Sequence, residues 1–496
     1  MRLRFNALAR LLLGLGLAAA IAAGAVAKDR VVVGMQAEPP VLDPTANAAA
    51  AIDSIVSGNV FESLTLIDDK GQVGPGLATS WTLSDEGRAY VFTLAPATFH
   101  NGRPVTSEDV KFAFERAMAP DSINPSKRIF APIQAIETPD ARTVLIRLKQ
   151  PTALFLFQMA SGDASIVAKE TVEENRTKPV GSGPFRFKEW VKGDRVVLER
   201  YAQHRNVAQI KMREAVFKFV PDASAQVAAM LAGDIDAFPV IGAPESLSRF
   251  QRDARFKVVV GTTEGEVILA LNNAKKPFDD IRVRRAVAHA IDRQSLIDGA
   301  MFGFGTPIGS HFPPHHPAYV DLTQRYPFDL EKARALLTEA GQLGAEVSIK
   351  LPPFSYARRG GEIIAAQLGR AGLRVKIEPI EWAQWLDIVY KQRNYDMTIV
   401  AHTSPWDIDN YTRGLGYYYG YQNPAMDALM KQIERETDPA KFNALLGDAQ
   451  RLIAEDSVHG YLFQLAKTGV YAAKLRGYGL NEPTVQTELW QWSWAD

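Results

Sequence analysis

The sequence contains no cysteine. That single absence excludes disulfide cross-links, thiolate metal centres and a cysteine nucleophile. It also lacks an excess of either charge, with 56 basic residues against 56 acidic ones. Bulk electrostatics therefore give the chain no pull toward nucleic acid or an anionic membrane. Beyond the first 27 residues no apolar run is long enough to span a bilayer. No repeat, low-complexity stretch or long charged block interrupts the chain. Enzyme signatures are missing as well: there is no HExxH, no GxSxG and no GxxxxGK phosphate loop. Gly303 and Gly305 follow a helical pattern and not a strand, which argues against a dinucleotide-binding turn. A binding role thus stands ahead of catalysis, and no cofactor and no resident metal are expected.

What is present begins with a targeting segment. Arg2, Arg4 and Arg10 precede a short apolar run over residues 11–23, and Ala25-Val26-Ala27 supplies the small residues that a signal peptidase reads. Residues 1–27 are expected to be a secretory signal peptide, cleaved before Lys28, which would send the mature protein to the periplasm. The remaining chain, Lys28 to Asp496, is too long for one core and suggests two or three lobes.

Helices and strands alternate along it. Val- and Ile-rich runs bounded by turn residues predict strands at 30–35, 144–148, 196–201, 215–220, 257–261 and 267–272, then at 347–351, 374–379 and 396–402. Thr106 with Asp109 reads as a capping box opening a helix. Val283, Ala286, Val287, Ala290, Ile291 and Ile297 make one stripe on a helix ending near Gly303. Asp329 and Asp438 read as further helix caps. The stretch 347–402 is the clearest, with helices at 362–371 and 382–392 between its strands. It is a βαβαβ unit, so an α/β fold with a parallel sheet is expected. Ligands of such sheets bind beyond the carboxyl ends of the strands. Here those ends are residues 36–40, 272–273 and 403–409.

Nine blocks carry a resemblance that covers essentially the whole mature chain. They are EPPVLDP (38–44), NVFESLT (59–65), LATSWTLSDEGRAYVFTL (77–94), FHNGRPVTSEDVKFAFERA (99–117), GSGPFRFKEW (181–190) and GDIDA (233–237). LNNAKKPFDDIRVRRAVAHAIDR (271–293), EKARALLTEAG (331–341) and YQNPAMDALM (421–430) complete the set. Any one block is weak, but nine in order are specific. The chain resembles the periplasmic oligopeptide-, dipeptide- and nickel-binding proteins that serve ABC importers. The resemblance implies a two-lobed clamp of the type II periplasmic-binding-protein class with an extra subdomain in the first lobe. Lobe I would combine residues 28–60, 185–265 and 475–496, the insertion would be 61–184, and lobe II would be 266–474. It also implies a monomer without enzymatic activity that hands its solute to an inner-membrane ABC permease. Di- or oligopeptides are the leading ligand class. Opines, glycosides and nickel chelates are alternatives, with a chaperone or signalling role more distant.

The candidate site follows from the loop after strand 396–402. In peptide-binding relatives an acidic residue of this loop pairs with the ligand's α-ammonium, and an enclosed cation needs such a carboxylate in place of water. Asp407 is the first candidate and Asp409 the second, against the alternative of solvated loop acids or a cap. Trp406 is a candidate pocket wall, Tyr417 and Tyr419 belong to a dense tyrosine run, and Arg413 could meet a ligand carboxylate. Gln36, Glu38 and Asn272 come from other strand ends. His402 adjoins the loop and keeps a metal chelate in play. His311, His315 and His316 sit in a proline-rich segment without an evident acidic partner, and a surface loop is expected there.

Overall fold

A computed structural model describes residues 28–68, 70–404 and 406–495. The expected signal segment lies outside the described residues. Among the described residues no helix is long and apolar enough to cross a membrane.

One sheet runs through the molecule. Its strands, in spatial order, are Arg374–Pro379, Glu346–Leu351, Met397–His402, Phe256–Leu271, His459–Ala472, Ala237–Phe238, Arg30–Met35, Glu214–Phe219, Arg195–Arg200 and Phe185–Val191. The first three are mutually parallel, as the βαβαβ pattern requires. Their connections are the helix Ser355–Ala371 and a helical segment that continues as a π-helix over Trp385–Lys391. The first of these helices starts seven residues before the expected position. The pair Gly360-Gly361 lowers local helix propensity, but a Cβ at Gly361 would lie 2.3 Å from Leu351, so close packing on the strand selects glycine there. The stripe from Val283 to Ile297 is also broken. It forms two helices, Ile281–Ala290 and Arg293–Met301, because Asp292 leaves helical geometry and accepts from Ser295 N as the second helix's N-cap.

Two long strands join the halves. Residues 257–261 and 267–271 of two runs expected as separate strands lie on one sixteen-residue strand, Phe256–Leu271, and Asn272 follows its end. It pairs antiparallel with His459–Ala472, and the register shifts between Thr262 and Glu266. That irregularity is the natural bending point of the two-stranded connection. Thr263 bridges it by donating from Oγ1 to Leu465 O at 2.6 Å.

Side-chain alternation assigns cores to each half. Val267, Leu269 and Leu271 face one core with the helices Ile281–Ala290, Arg293–Met301, Leu330–Glu339 and Ser355–Ala371. Ile268 and Ala270 face another, filled by tyrosines and by helices Pro424–Ile433 and Pro439–Glu455. In the other half Val31, Val33, Ala237 and Tyr471 join one core, while Phe238 and Val470 join a smaller one. The second-half cores draw their buried members from residues 267–463, and Val470 already belongs to the first half. We therefore propose that the second crossing strand changes lobe near residue 465, ahead of the expected limit at 474. A four-stranded sheet (Ala78–Ser84, Ala89–Leu94, Thr143–Leu148, Ile133–Asp140) and helix Ser107–Met118 fall within residues 61–184, the span expected as an insertion. Phe92, Val110, Phe114 and Ile146 share a core with Val31, so the insertion is fused to the first lobe.

Candidate functional site

The lobes enclose a cleft with two adjoining chambers of about 270 and 260 Å³. In the larger chamber the second lobe contributes aromatic rings, chiefly Trp382, Trp385, Tyr390, Tyr417 and Tyr418. These rings brace one another, with Trp382 stacked on Trp385 at 4.9 Å between centroids. Trp385 is fixed further because its indole donates to Thr398 Oγ1 at 2.9 Å. The first lobe contributes Asp53, Phe157, Ser161 and Asp163. Several contacts hold the cleft shut. Arg128 of the insertion meets Asp409 at 3.0 Å and donates to Thr412 Oγ1 at 2.8 Å. Arg359 pairs with Glu245 at 2.6 Å, and Phe157 packs on Trp406 at 5.8 Å.

Asp407 does border the cavity, yet its charge is engaged within its own lobe. Its Oδ2 accepts from His402 Nδ1 at 2.8 Å and from Asn410 Nδ2 at 2.6 Å, and its Oδ1 lies 3.3 Å from His311 Nε2. Burial alone would raise its pKa. The hydrogen bonds from His311 and His402 outweigh that and hold the carboxyl well below the usual range. His402 Nε2 is met by the hydroxyls of Tyr418 at 2.6 Å and Tyr419 at 2.9 Å.

The histidine segment departs from expectation. His311 is 2 % exposed and His316 7 %, so this is no surface loop. His311 Nδ1 lies 2.8 Å from Glu266 Oε1, and the ring stands between Glu266 and Asp407. Burial works to lower its pKa, but the two carboxylates raise it to about 10. His316 instead packs against Phe312 and Trp406. Only His315 keeps appreciable exposure, and it pairs with Glu264. Sequence separation hid this arrangement: Glu266 and His311 approach Asp407 from positions more than ninety residues before it.

The opposite wall carries two acids with no ion-pair partner. Asp53, on the helix Ala50–Val56, accepts one hydrogen bond, from Ser57 Oγ at 2.5 Å. Asp163 accepts from the hydroxyls of Ser126 and Ser161. Neither carboxylate lies within 4.0 Å of a described lysine, arginine or histidine nitrogen. Burial, reinforced by the nearby Asp163 charge, pushes Asp53 up to about 7. Burial also raises Asp163, despite the serine hydroxyls and the more distant Arg413. The two acids meet because residue 162 is glycine: a Cβ there would stand 1.9 Å from Asp53 Oδ1. Nothing in the local sequence marked either acid as a site residue.

The other expected residues divide. Arg413 and Tyr417 line the larger chamber, with the guanidinium 4.9 Å over the Tyr417 ring and its Nε without a hydrogen-bond partner. Gln36 borders the smaller chamber and donates to Pro353 O at 3.2 Å across the cleft. Trp406 and Tyr419 stand behind the wall, and Asp409 serves the Arg128 contact. Two residues are placed elsewhere. Glu38 accepts from the Trp190 indole and from Gly193 N, within the first lobe. Asn272 is buried and donates to the carbonyls of Arg393 and Tyr395.

Comparison with known proteins agrees with this architecture. The model of the bacterial extracellular solute-binding proteins, family 5 (middle), matches residues 72–423. A glutathione-binding protein of Salmonella typhimurium is 30% identical over 382 residues, covering 75% of this chain and 74% of its own. The ABC transporter-associated periplasmic binding protein DppA from Helicobacter pylori, in complex with peptide STSA, superposes with a TM-score of 0.87 at 24% identity. The match covers 94% of this chain and 98% of that one. The binding protein AgaA of A. tumefaciens R10, in complex with agropinic acid, gives a TM-score of 0.87 at 23% identity over 94% and 99% of the two chains.

Proposed function

Since the chain belongs to the bacterial extracellular solute-binding proteins, family 5, we propose that it captures a small amine-bearing solute, of di- or tripeptide size, and presents it to an ABC permease from the periplasm. The observation that carries the ligand class is the uncompensated pair Asp53 and Asp163 on the cleft wall. A carboxylate enclosed without a counter-charge is costly, and a ligand ammonium placed there supplies the missing partner. Asp407 is a poorer partner for that ammonium, because His402, His311 and Asn410 already satisfy it.

In this reading Arg413 takes the solute's carboxylate. Its unpaired Nε and its place in the cavity lining support that role. The aromatic wall of Trp382, Tyr390, Tyr417 and Tyr418 gives rigid, sequence-tolerant area for the body of the solute. His402 and Asp407 border the same chamber, while Gln36, Trp406, Asp409 and Tyr419 position the walls. The chambers, of about 270 and 260 Å³, favour short peptides over long ones. Binding between lobes that close on the solute requires no chemistry of the protein, and the role proposed is not enzymatic.

The test is calorimetry with a panel of di- and tripeptides and their N-acetylated forms at pH 5 and pH 8. A cognate peptide should bind more tightly at pH 8, where Asp53 is ionised, and acetylation should weaken it at least a hundredfold. Equal binding of free and acetylated forms would overturn the amine reading. Tight binding of an opine added to that panel, with the peptides silent, would move the solute class while keeping the ammonium site.

A further inference from the structure

We infer that Glu266, His402 and Asp407, with His311 as a fourth donor, form a site for one divalent transition-metal ion at the floor of the cleft. One ligand atom from each of Glu266, His402 and Asp407 lies within 4.8 Å of the others, close enough for a single ion to bind all three. The donors come from separate places in the second lobe: the bend of the first crossing strand, the end of strand Met397–His402, and the loop after it.

A second observation points to a missing partner. Glu266 is 3 % exposed, and neither carboxylate oxygen accepts a hydrogen bond. Buried carboxylates ordinarily satisfy both oxygens. His311 Nδ1 lies 2.8 Å from Glu266 Oε1 but outside hydrogen-bonding direction, and that nitrogen is unpaired too. Among the described residues no lysine or arginine reaches Glu266 or Asp407. Whatever positive charge these two acids share comes from imidazoles.

The donor set selects the ion. One or two imidazole nitrogens with two carboxylates suit zinc or nickel. Calcium and magnesium want more oxygen ligands than this enclosed position offers. The surroundings resemble the outer shell of such a centre: the hydroxyls of Tyr418 and Tyr419 hold His402 Nε2, leaving Nδ1 toward Asp407 and the ion. Coordination requires an unprotonated histidine nitrogen, so ion binding at His311 displaces its proton into solvent. This site is built from protein side chains alone and is independent of the solute proposed above.

The experiment uses tag-free full-length mature protein stripped with EDTA, then titrated with zinc or nickel chloride by calorimetry and native mass spectrometry. One ion per chain is expected, with proton release seen as a dependence of the heat on buffer ionisation enthalpy. Glu266→Gln and His402→Gln should each weaken binding at least a hundredfold, while His315→Ala at the exposed histidine should leave it unchanged. Cobalt loading of the wild type should give the intense visible bands of a low-coordinate nitrogen and oxygen site, a readout that does not depend on variants folding. No stoichiometric uptake by the wild type would overturn the inference. So would uptake abolished only in His315→Ala, or uptake that requires added free histidine, which would make the metal part of a cargo chelate.

Discussion

The sharpest prediction concerns Asp53→Asn in the solute-free protein. Asp53 is pushed from an ordinary 3.8 to about 7 by burial and by Asp163. At about 1.4 kcal/mol per unit, ionising it inside the closed cleft costs roughly 4 kcal/mol as an upper bound. The sign follows from proton linkage. Because the folded pKa is raised, the stabilising contribution of the protonated acid is complete below about pH 4 and is lost as pH rises through 7. Asparagine keeps the acceptor for Ser57 and never ionises. Wild type and variant should therefore have similar stability near pH 4. By pH 8 the variant should be more stable by up to roughly 3–4 kcal/mol, with part of that gain arising from relief of Asp163. Reversible urea unfolding at pH 4, 6 and 8 measures the difference, which cancels the titration of groups that the two proteins share. A difference that stays flat across this range would refute the reasoning: Asp53 would then be ionised at no cost, and the case for an ammonium partner on this wall would fall with it.

Two further substitutions separate the roles of loop and wall. Asp407→Ala leaves His311 and His402 facing a vacancy in a buried network, and should cost about 3–5 kcal/mol in urea unfolding at pH 7; a loss under about 1 kcal/mol would show that the imidazoles do not depend on it. Asn272→Ala orphans the carbonyls of Arg393 and Tyr395. It should cost about 1–3 kcal/mol of stability and leave solute affinity unchanged. A tenfold weaker solute by calorimetry would return Asn272 to the cleft.

The βαβαβ unit was legible because its strands and helices alternate at short range, and the capping box at Thr106 and Asp109 was formed as read. The long strand Phe256–Leu271 was not, because Gly261, Gly265 and two threonines interrupt its apolar pattern where it bends. The loop after Met397–His402 borders the cavity, at a strand end of the kind where the rule expects ligands. What that rule could not supply was the electrostatic surrounding of each acid. Asp407 looked available for a ligand because its partner His311 lies nearly a hundred residues earlier. Asp53 looked like any helix residue because Asp163 reaches it only through the tertiary fold, past a glycine that a sequence shows without its reason.

These surroundings bear on closure itself. The polar contacts across the cleft are partly exposed: Arg128 with Asp409, Arg359 with Glu245, Gln36 with Pro353 O, beside the packing of Phe157 on Trp406. Exposed pairs of this kind contribute about 0–1 kcal/mol each. Set against them is the burial of Asp53 beside Asp163, which at neutral pH costs roughly 4 kcal/mol at most. The acid pair therefore works against closure at neutral pH, by an amount of the same order as those contacts. A cation in the cleft removes the unfavourable side and leaves the contacts in place, and a ligand shifts such an equilibrium only by its differential affinity for the two states. A neutral solute of the same shape would gain the aromatic wall but not that difference. On this balance the acid pair confers selectivity by deciding which solutes close the lobes as well as which ones bind.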